Sequence, residues 1–243
     1  MSSMFRLVVC EKPSVARDVA RVLGARARRD GWLEGEGLRV TWCLGHLVEL
    51  AEPQEYDPAW KAWRPEHLPM LPEEFRLRPR AGSDDGAARQ WRTVAGLLVH
   101  PELREVVNAC DAGREGELIF AFAYELSGAR APVHRLWIRS MTDEAIRDGF
   151  ARLRPGPEMT RLEAAARSRA EADWLVGLNA TRAMTLRARR AGGDNLLSVG
   201  RVQTPTLAML ALREEAIERF RAEPFWQVKV RFGAAGGEWE GLW

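Results

Sequence analysis

The sequence predicts an α/β fold, a parallel sheet flanked by helices, followed by a mostly helical region and the start of a β-rich segment. Short apolar runs at 5–10 and 106–110 read as buried strands, and each is followed by a helical pattern. Residues 161–190 form one long helical stretch. Residues 225–232 alternate as a strand does, with a turn at 233–237 and a return strand to 243.

Composition narrows the class of protein. A chain of 243 residues can hold one or two domains, and its formal net charge of +2 says little about partners. Lysine occurs only at 12, 61 and 229, so nearly all positive charge is arginine. Arginine suits phosphate binding, and the alternative explanation of its excess is a GC-rich genome. Three cysteines without metal spacing, a polar leader and no apolar run of ~20 residues predict a cytoplasmic protein with no membrane segment.

The acidic stretch 111–117 follows the second predicted strand and precedes an apolar helix at 118–124. It holds three carboxylates, one guanidinium and two glycines. It therefore sits at the carboxyl end of a strand, where open α/β sheets place their sites. Clustered carboxylates repel unless a cation lies among them, and hard oxygen ligands select Mg²⁺. The alternative is a solvated acidic loop.

The first strand ends in a similar way, at Glu11 and Lys12. Pro13 suits the first turn of a helix, and Gly24 suits its C-cap. If the two strands are parallel neighbours, Glu11 and Asp111 reach one edge of the sheet. Lys12 would then lie at a helix N-terminus, which favours phosphate. The pair predicts a site for a metal and a phosphate.

The other elements follow in order. A strand at 38–44 ends near His46, which either contacts a phosphate or, the favoured reading, packs a turn. Residues 51–80 are irregular and rich in Pro and Trp, which is typical of functional segments. A helix is predicted at 87–99 and a strand at 133–138. Residues 140–143 predict a cap for a helix at 144–153, and residues 195–205 separate the 161–190 helix from one at 207–219.

Five motifs together resemble the type IA DNA topoisomerases, and within them the bacterial topoisomerase III branch. They lie at 11–14, 41–47, 111–117, 169–174 and 198–205, occur in the family's order and cover essentially the whole chain. The resemblance implies a Toprim domain at 1–153, a helical DNA-binding gate region at 154–221 and the beginning of a β-rich arch domain at 222–243.

The resemblance also implies roles for individual residues. Glu11, Lys12, Asp111 and Glu115 are expected to be catalytic, with Mg²⁺ held by Glu11, Asp111 and Glu115. The positions expected to bind DNA are Trp63, Trp174, Arg182, Arg189, Ser198, Val199, Gly200, Arg201, Val202 and Gln203.

The implied activity belongs to the complete enzyme. Such an isomerase cleaves one DNA strand through a phosphotyrosine, passes another strand and reseals the break without ATP. The implied partners are single-stranded DNA and, for the complete enzyme, a helicase. The expected state is a monomer, cytoplasmic and associated with the nucleoid.

One face of the 161–190 helix is predicted to carry single-stranded DNA. At ~100° per residue, Arg182 and Arg189 lie within a quarter-turn of Trp174. On this hypothesis, Trp174→Ala weakens DNA binding with little effect on the melting temperature. The alternatives are a core tryptophan packed beside Leu175 and Leu178 and a solvated face of arginines.

The sequence departs from the family at two places. Gly113 stands where many relatives carry a second aspartate. Glu115 and Glu117 remain, but side chains two apart on a helix point ~200° away from each other, so both are not expected to face one metal ion. Glu115 is expected to be the one that assists the metal site. The two tyrosines, Tyr56 and Tyr124, do not match the context of the family's nucleophile. The chain is therefore expected to be an N-terminal portion that lacks this tyrosine.

Two other functions stay open at this point. One is a different Toprim enzyme, such as a primase or nuclease, against which the motif at 198–205 argues. The other is a stand-alone single-stranded DNA-binding protein without catalysis.

Overall fold

The structure is a computed structural model that describes residues 4–80 and 85–243. Its first compact unit extends to Gly200, and the second is Arg201–Trp243. The elements of the first unit are β1 (Phe5–Cys10), α1 (Pro13–Leu23), β2 (Ala27–Arg29), β3 (Trp32–Gly35), β4 (Leu38–Trp42), β5 (Val48–Leu50), α2 (Pro53–Tyr56), β6 (Leu77–Pro79), α3 (Asp85–Leu98), β7 (Leu103–Ala109), α4 (Arg114–Ser127), β8 (Val133–Arg135), α5 (Asp143–Ala151), β9 (Arg154–Pro155) and α6 (Thr160–Arg190).

The main sheet has the strand order β2-β3-β4-β1-β7-β8-β9. Strands β4, β1, β7 and β8 are parallel, and the outer strands join antiparallel. Alternate residues of β1 face opposite layers, as the period of a strand requires. Leu7 and Val9 pack towards α3 and α4. Val8 packs towards α1 and α5. The predicted α/β fold with a parallel sheet is confirmed.

Local sequence signals decide several boundaries. Strand β1 and helix α1 have the predicted limits, and Gly24 caps α1 at φ 83°. Thr142 caps α5 by accepting a hydrogen bond from the Ala145 backbone N–H. The predicted strand at 133–138 is shorter, because β8 ends at Arg135. The buried guanidinium of Arg135 donates to backbone carbonyls at the end of β7 and in the loop that follows it.

Five short strands, β2, β3, β5, β6 and β9, were not predicted, because each is too brief to show a period. Strands β2 and β3 form a hairpin on β4, and β5 pairs with β6 across the irregular segment 51–80. Short 3₁₀ helices also occur at Pro58–Lys61, Pro65–His67 and Gly156–Met159. The described residues contain no helix that is both long and apolar enough to cross a membrane.

The second unit contains α7 (Gln203–Glu218) and the hairpin of β10 (Lys229–Ala234) and β11 (Gly237–Leu242). Helix α7 begins before the predicted 207 because Pro205 is accommodated in its first turn. Strand β10 begins at Lys229, later than the predicted 225. Phe232 stacks on Trp239 across the hairpin at 5.6 Å. The predicted domain limits at 153 and 221 stay predictions.

Candidate active site and nucleic-acid groove

The first two site carboxylates meet at the carboxyl edge of the sheet. Strands β1 and β7 are parallel neighbours, with Cys10 opposite Ala109, so the residues that follow them emerge together. The Lys12 Nζ lies 3.1 Å from Glu11 Oε1 and 3.4 Å from Asp111 Oδ2. Hydrogen bonding and charge from Glu11, and then from Asp111, raise the pKa of Lys12. The structure thus brings together Glu11, Lys12 and Asp111.

The chemistry of Glu11 suits a hard cation. Its side chain is 10% exposed, and its Oε2 is buried with no hydrogen-bond partner among the described residues. An unpaired buried carboxylate oxygen costs free energy, and a metal ion would offset that cost. Asp111 is more exposed and presents its carboxylate beside Glu11. Two carboxylates and water are a common Mg²⁺ ligand set.

Glu115, the third predicted ligand, points elsewhere. Its Oε1 lies 2.5 Å from His46 Nε2, and its side chain is exposed. Within residues 4–80 and 85–243, no three His, Cys, Asp or Glu side chains are grouped as a metal site. The structure therefore places Glu115 and His46 together on the wall of the groove described below, beside the two-carboxylate edge.

A buried ion pair supports the acidic loop, and the sequence reasoning missed it. Arg135 Nε donates to Glu117 Oε2 at 2.9 Å. Its Nη1 and Nη2 donate to the carbonyls of Cys110 and Asp111 at 2.7 and 2.6 Å. Burial raises the pKa of Glu117, although the Arg135 guanidinium opposes that rise. The available signal was an arginine inside an apolar predicted strand.

The two glycines of the loop have different roles. A Cβ at Gly116 would lie 2.2 Å from the Asp111 carbonyl oxygen, so the first turn of α4 packs directly on that backbone. Gly113 has φ 178°, which is extended backbone, and a Cβ there would meet nothing within 4 Å. Gly116 is thus required by close approach, whereas Gly113 is not required by a left-handed conformation.

A groove of about 920 Å³ lies between α4 and α6 and starts at the acidic loop. Its wall includes Gly113, Arg114 and Glu115 from the start of α4. The other lining residues are His46, Glu49, Leu50, Leu118, Phe122, Ala166, Arg169, Ala170, Asp173, Trp174, Gly177, Leu178, Thr181, Ser198 and Val199. Three of the predicted DNA-binding positions, Trp174, Ser198 and Val199, therefore share one groove with Glu115.

Trp174 is half-buried in an aromatic cluster. Its ring meets the rings of Tyr56 and Phe75 edge-on, with centroids 5.6 Å away in each case. Its Nε1–H donates to the Ala51 carbonyl at 2.9 Å. Truncation at Trp174 would therefore remove packing and a hydrogen bond, so the expectation of an unchanged melting temperature no longer holds.

Trp63, Arg182 and Arg189 form a second cluster. The guanidinium carbons of Arg182 and Arg189 lie 5.2 and 5.9 Å from the Trp63 ring centroid. Arg182 is buried, donates to the Trp60 carbonyl at 2.5 Å, and has its pKa lowered by burial. Arg182 therefore packs against Trp63 and is not part of a solvated face.

Two threonines, which the sequence reasoning did not single out, fix the end of the first unit on α6. Thr181 Oγ1 accepts from the Val199 N–H at 2.9 Å and donates to the Val199 carbonyl at 3.2 Å. Thr185 Oγ1 accepts from the Leu197 N–H at 3.0 Å. Ser198 and Val199 are thereby held on the groove wall, while Arg201, Val202 and Gln203 belong to the second unit.

Both tyrosine hydroxyls are bonded to backbone groups. Tyr56 accepts from the Arg76 N–H at 3.1 Å. Tyr124 donates to the Ala131 carbonyl at 2.6 Å, and burial raises its pKa. Neither phenol lines the groove.

Comparisons with known proteins show the family of the chain. A Toprim domain family model matches residues 6–141, more than half of the chain, and a DNA topoisomerase model matches 157–241. The chain is 48% identical over 225 residues to DNA topoisomerase 3 of Shouchella clausii, covering 93% of this chain and 30% of that protein. For DNA topoisomerase 3 of Bacillus subtilis the identity is 44% over 234 residues, covering 96% and 31%.

A solved structure shows the same fold. Full-length topoisomerase I from Thermotoga maritima matches with a TM-score of 0.58 and 21% identity, over 93% of this chain and 32% of that one. The chain thus spans about 30% of the length of the relatives it matches. It belongs to the Toprim-containing type IA DNA topoisomerase family and is homologous to the N-terminal part of bacterial DNA topoisomerase 3.

Proposed function

We propose that this chain supplies the phosphate-handling edge and part of the single-stranded DNA path of a type IA topoisomerase III. In the whole protein, the activity would be ATP-independent cleavage of one DNA strand, strand passage and religation. The observation that carries the proposal is the Lys12 ammonium between the Glu11 and Asp111 carboxylates at the end of β1 and β7. This edge combines a phosphate-binding cation with oxygen ligands for Mg²⁺.

The residues divide into two roles at this edge. Glu11 and Asp111 would hold Mg²⁺, and the Toprim match supports that ion. When bound, the ion would neutralise charge at the scissile phosphate. Lys12 would contact that phosphate, exchanging its carboxylate partners for a phosphate oxygen. Glu115, bonded to His46 on the groove wall, would be the nearby acid that assists.

The groove between α4 and α6 would carry single-stranded DNA. Trp174, Ser198 and Val199 line it. Trp63 would offer its ring to a base, with Arg182 and Arg189 holding that ring by cation–π contacts. Gly200, Arg201, Val202 and Gln203 continue the same motif, and we assign them to DNA as well.

Oligonucleotide binding tests the proposal directly. Fluorescence anisotropy would compare a labelled 20-nucleotide single strand with the matching duplex, at low and moderate salt. Lys12→Met should weaken single-strand binding several-fold, since it removes about one phosphate contact. Lys229→Met removes the same charge from the β10–β11 hairpin and should bind as the unchanged chain does. Equal affinities for both variants at low salt would overturn the assignment of Lys12.

Metal binding is measured separately by calorimetry. Glu11→Gln and Asp111→Asn should each abolish or strongly weaken Mg²⁺ binding, while Glu115→Gln should have a smaller effect because Glu115 faces His46. Equal losses for all three variants would place Glu115 among the ligands.

The bonded tyrosines favour a second function for this chain by itself, single-stranded DNA binding without catalysis. Incubation with labelled single-stranded DNA and Mg²⁺, followed by a denaturing gel, should show no covalent adduct. An adduct that Tyr56→Phe or Tyr124→Phe removes would refute this second function.

A further inference from the structure

A hollow ringed by arginines lies on the other face of the sheet from the groove. Its volume is about 340 Å³, and it lies between α1 and the β2–β3 hairpin. Ala20, Ala25 and Leu33 form its floor. The arginines that line it are Arg17, Arg21, Arg26 and Arg28. The groove, in contrast, is bounded by α4 and α6, on the side of the sheet that α3 and α4 cover.

Local periodicity brings these side chains together. Positions 17, 20 and 21 are three and four residues apart, so Arg17, Ala20 and Arg21 share one face of α1. Arg28 is the cross-strand partner of Leu33, so both side chains lie on one face of the hairpin. The result is a nearly all-carbon floor with cationic groups at its rim, because the arginine stems add to the apolar wall.

Most of the positive charge at the rim is not neutralised by the chain. Arg21 makes a two-bond ion pair with Asp143, at 2.9 and 2.8 Å, and also lies near Asp18. Arg17, Arg26 and Arg28 are exposed, and their guanidinium groups make no hydrogen bond or ion pair with any described residue. Three like charges around one hollow repel one another, and carboxylates from a partner would relieve that repulsion.

The shape of the hollow distinguishes between two anionic partners. A nucleic-acid backbone would satisfy the arginines but would leave the apolar floor uncovered. An acidic peptide with one apolar side chain would satisfy both, with the apolar side chain on Ala20, Ala25 and Leu33 and flanking carboxylates on the arginines. Arginine forks bind carboxylates in the two-bond geometry that Asp143 already shows here.

We propose that this arginine-ringed hollow is a docking site for an acidic peptide segment of a partner protein, anchored by one apolar side chain. The site is independent of the DNA groove, since the two lie on opposite faces of the sheet.

A binding experiment on the whole chain tests the proposal. The probe is a fluorescein-labelled ten-residue peptide of alternating Asp and Glu with one central leucine, together with the same peptide carrying serine at the centre. Arg26→Gln with Arg28→Gln removes two rim charges. The control, Arg29→Gln with Arg130→Gln, removes two charges from exposed arginines that do not line the hollow.

The rim variant should bind the leucine peptide about tenfold more weakly, and the control within about twofold. The serine peptide should bind several-fold more weakly than the leucine peptide to the unchanged chain. Arg17→Gln provides a second rim variant if the first fails to fold, with circular dichroism as the check. Equal weakening in rim and control variants would overturn the site, as would equal binding of the two peptides.

A 20-base-pair duplex serves as the competing probe. The proposal expects the rim variant to change duplex affinity by less than about twofold. If the duplex loses about tenfold while the two peptides are not distinguished, the hollow is a nucleic-acid surface and the proposal is overturned.

Discussion

Replacing Arg135 by methionine should destabilise the first unit and loosen the acidic loop together. The side chains of Arg135 and Glu117 are only 1% and 7% exposed. The guanidinium donates to the Glu117 carboxylate and to the carbonyls of Asn108, Cys110, Leu136 and Asp111. Methionine fills a similar volume but donates no hydrogen bond, so all five acceptors lose a partner.

The size of the effect follows from the charge left behind. Removing one partner of a buried ion pair costs about 3–5 kcal/mol, because the remaining charge is buried without compensation. Glu117→Gln should cost less, because it leaves a neutral side chain that can still accept a hydrogen bond from Arg135. In the double variant no carboxylate is stranded, so its free energy of unfolding should exceed the additive expectation by about 0.5–3 kcal/mol.

Urea unfolding followed by tryptophan fluorescence measures these free energies. The control is Arg139→Met, an exposed arginine four residues further along, which should change the free energy by less than about 0.5 kcal/mol. Calorimetry should also show weaker Mg²⁺ binding for Arg135→Met, since the Asp111 backbone loses its anchor. A loss below about 1 kcal/mol with an unchanged m value would refute this account of Arg135.

Three other substitutions test neighbouring parts of the structure. Gly113→Asp should fold normally and tighten Mg²⁺ binding by calorimetry, because its backbone is extended and its Cβ meets open space; weaker binding would contradict this. Trp174→Ala should lower the melting temperature and weaken oligonucleotide binding by ~1–3 kcal/mol, whereas Trp174→Phe should recover most of the stability. Burial raises the pKa of Glu105, but hydrogen bonds from Arg104 and Arg6 outweigh burial and hold that pKa below its ordinary 4.5. The ionised Glu105 therefore stabilises the fold above about pH 4.5, and this contribution is lost as the pH falls through the depressed pKa. In urea melts at acid pH, the free energy of unfolding of the unchanged chain should approach that of Glu105→Gln. A difference between the two that stays constant with pH would contradict the linkage.

The main sheet was predictable because its central strands are apolar runs that end in polar residues. Each of β1 and β7 is buried on both faces, and such strands appear in sequence as continuous apolar runs. Strands β2 and β5 are three residues long, and their pairing depends on contacts that the local sequence does not contain. The parallel arrangement of β1 and β7 then placed Glu11 beside Asp111, as the site hypothesis required.

The supporting residues were harder to predict, since their roles depend on groups distant in sequence. Arg135 is a polar residue in a short strand, and only the fold brings it to Glu117 and the Asp111 carbonyl. Helical spacing correctly separated Glu115 from Glu117 but could not say which one is buried. The burial of Trp174 was equally hard to predict, because its partners Tyr56 and Phe75 come from the irregular segment, distant in sequence.

The first turn of α4 connects the carboxylate edge, the core and the groove. Gly116 packs on the Asp111 backbone, and Glu117 reaches Arg135 in the core. Gly113 and Glu115 line the groove on the opposite side of the same turn. A side chain that displaced this turn would move the Asp111 carboxylate and the groove wall together. Variants of this turn should therefore lose Mg²⁺ binding and oligonucleotide binding together. Variants of α6 should lose oligonucleotide binding and keep Mg²⁺ binding.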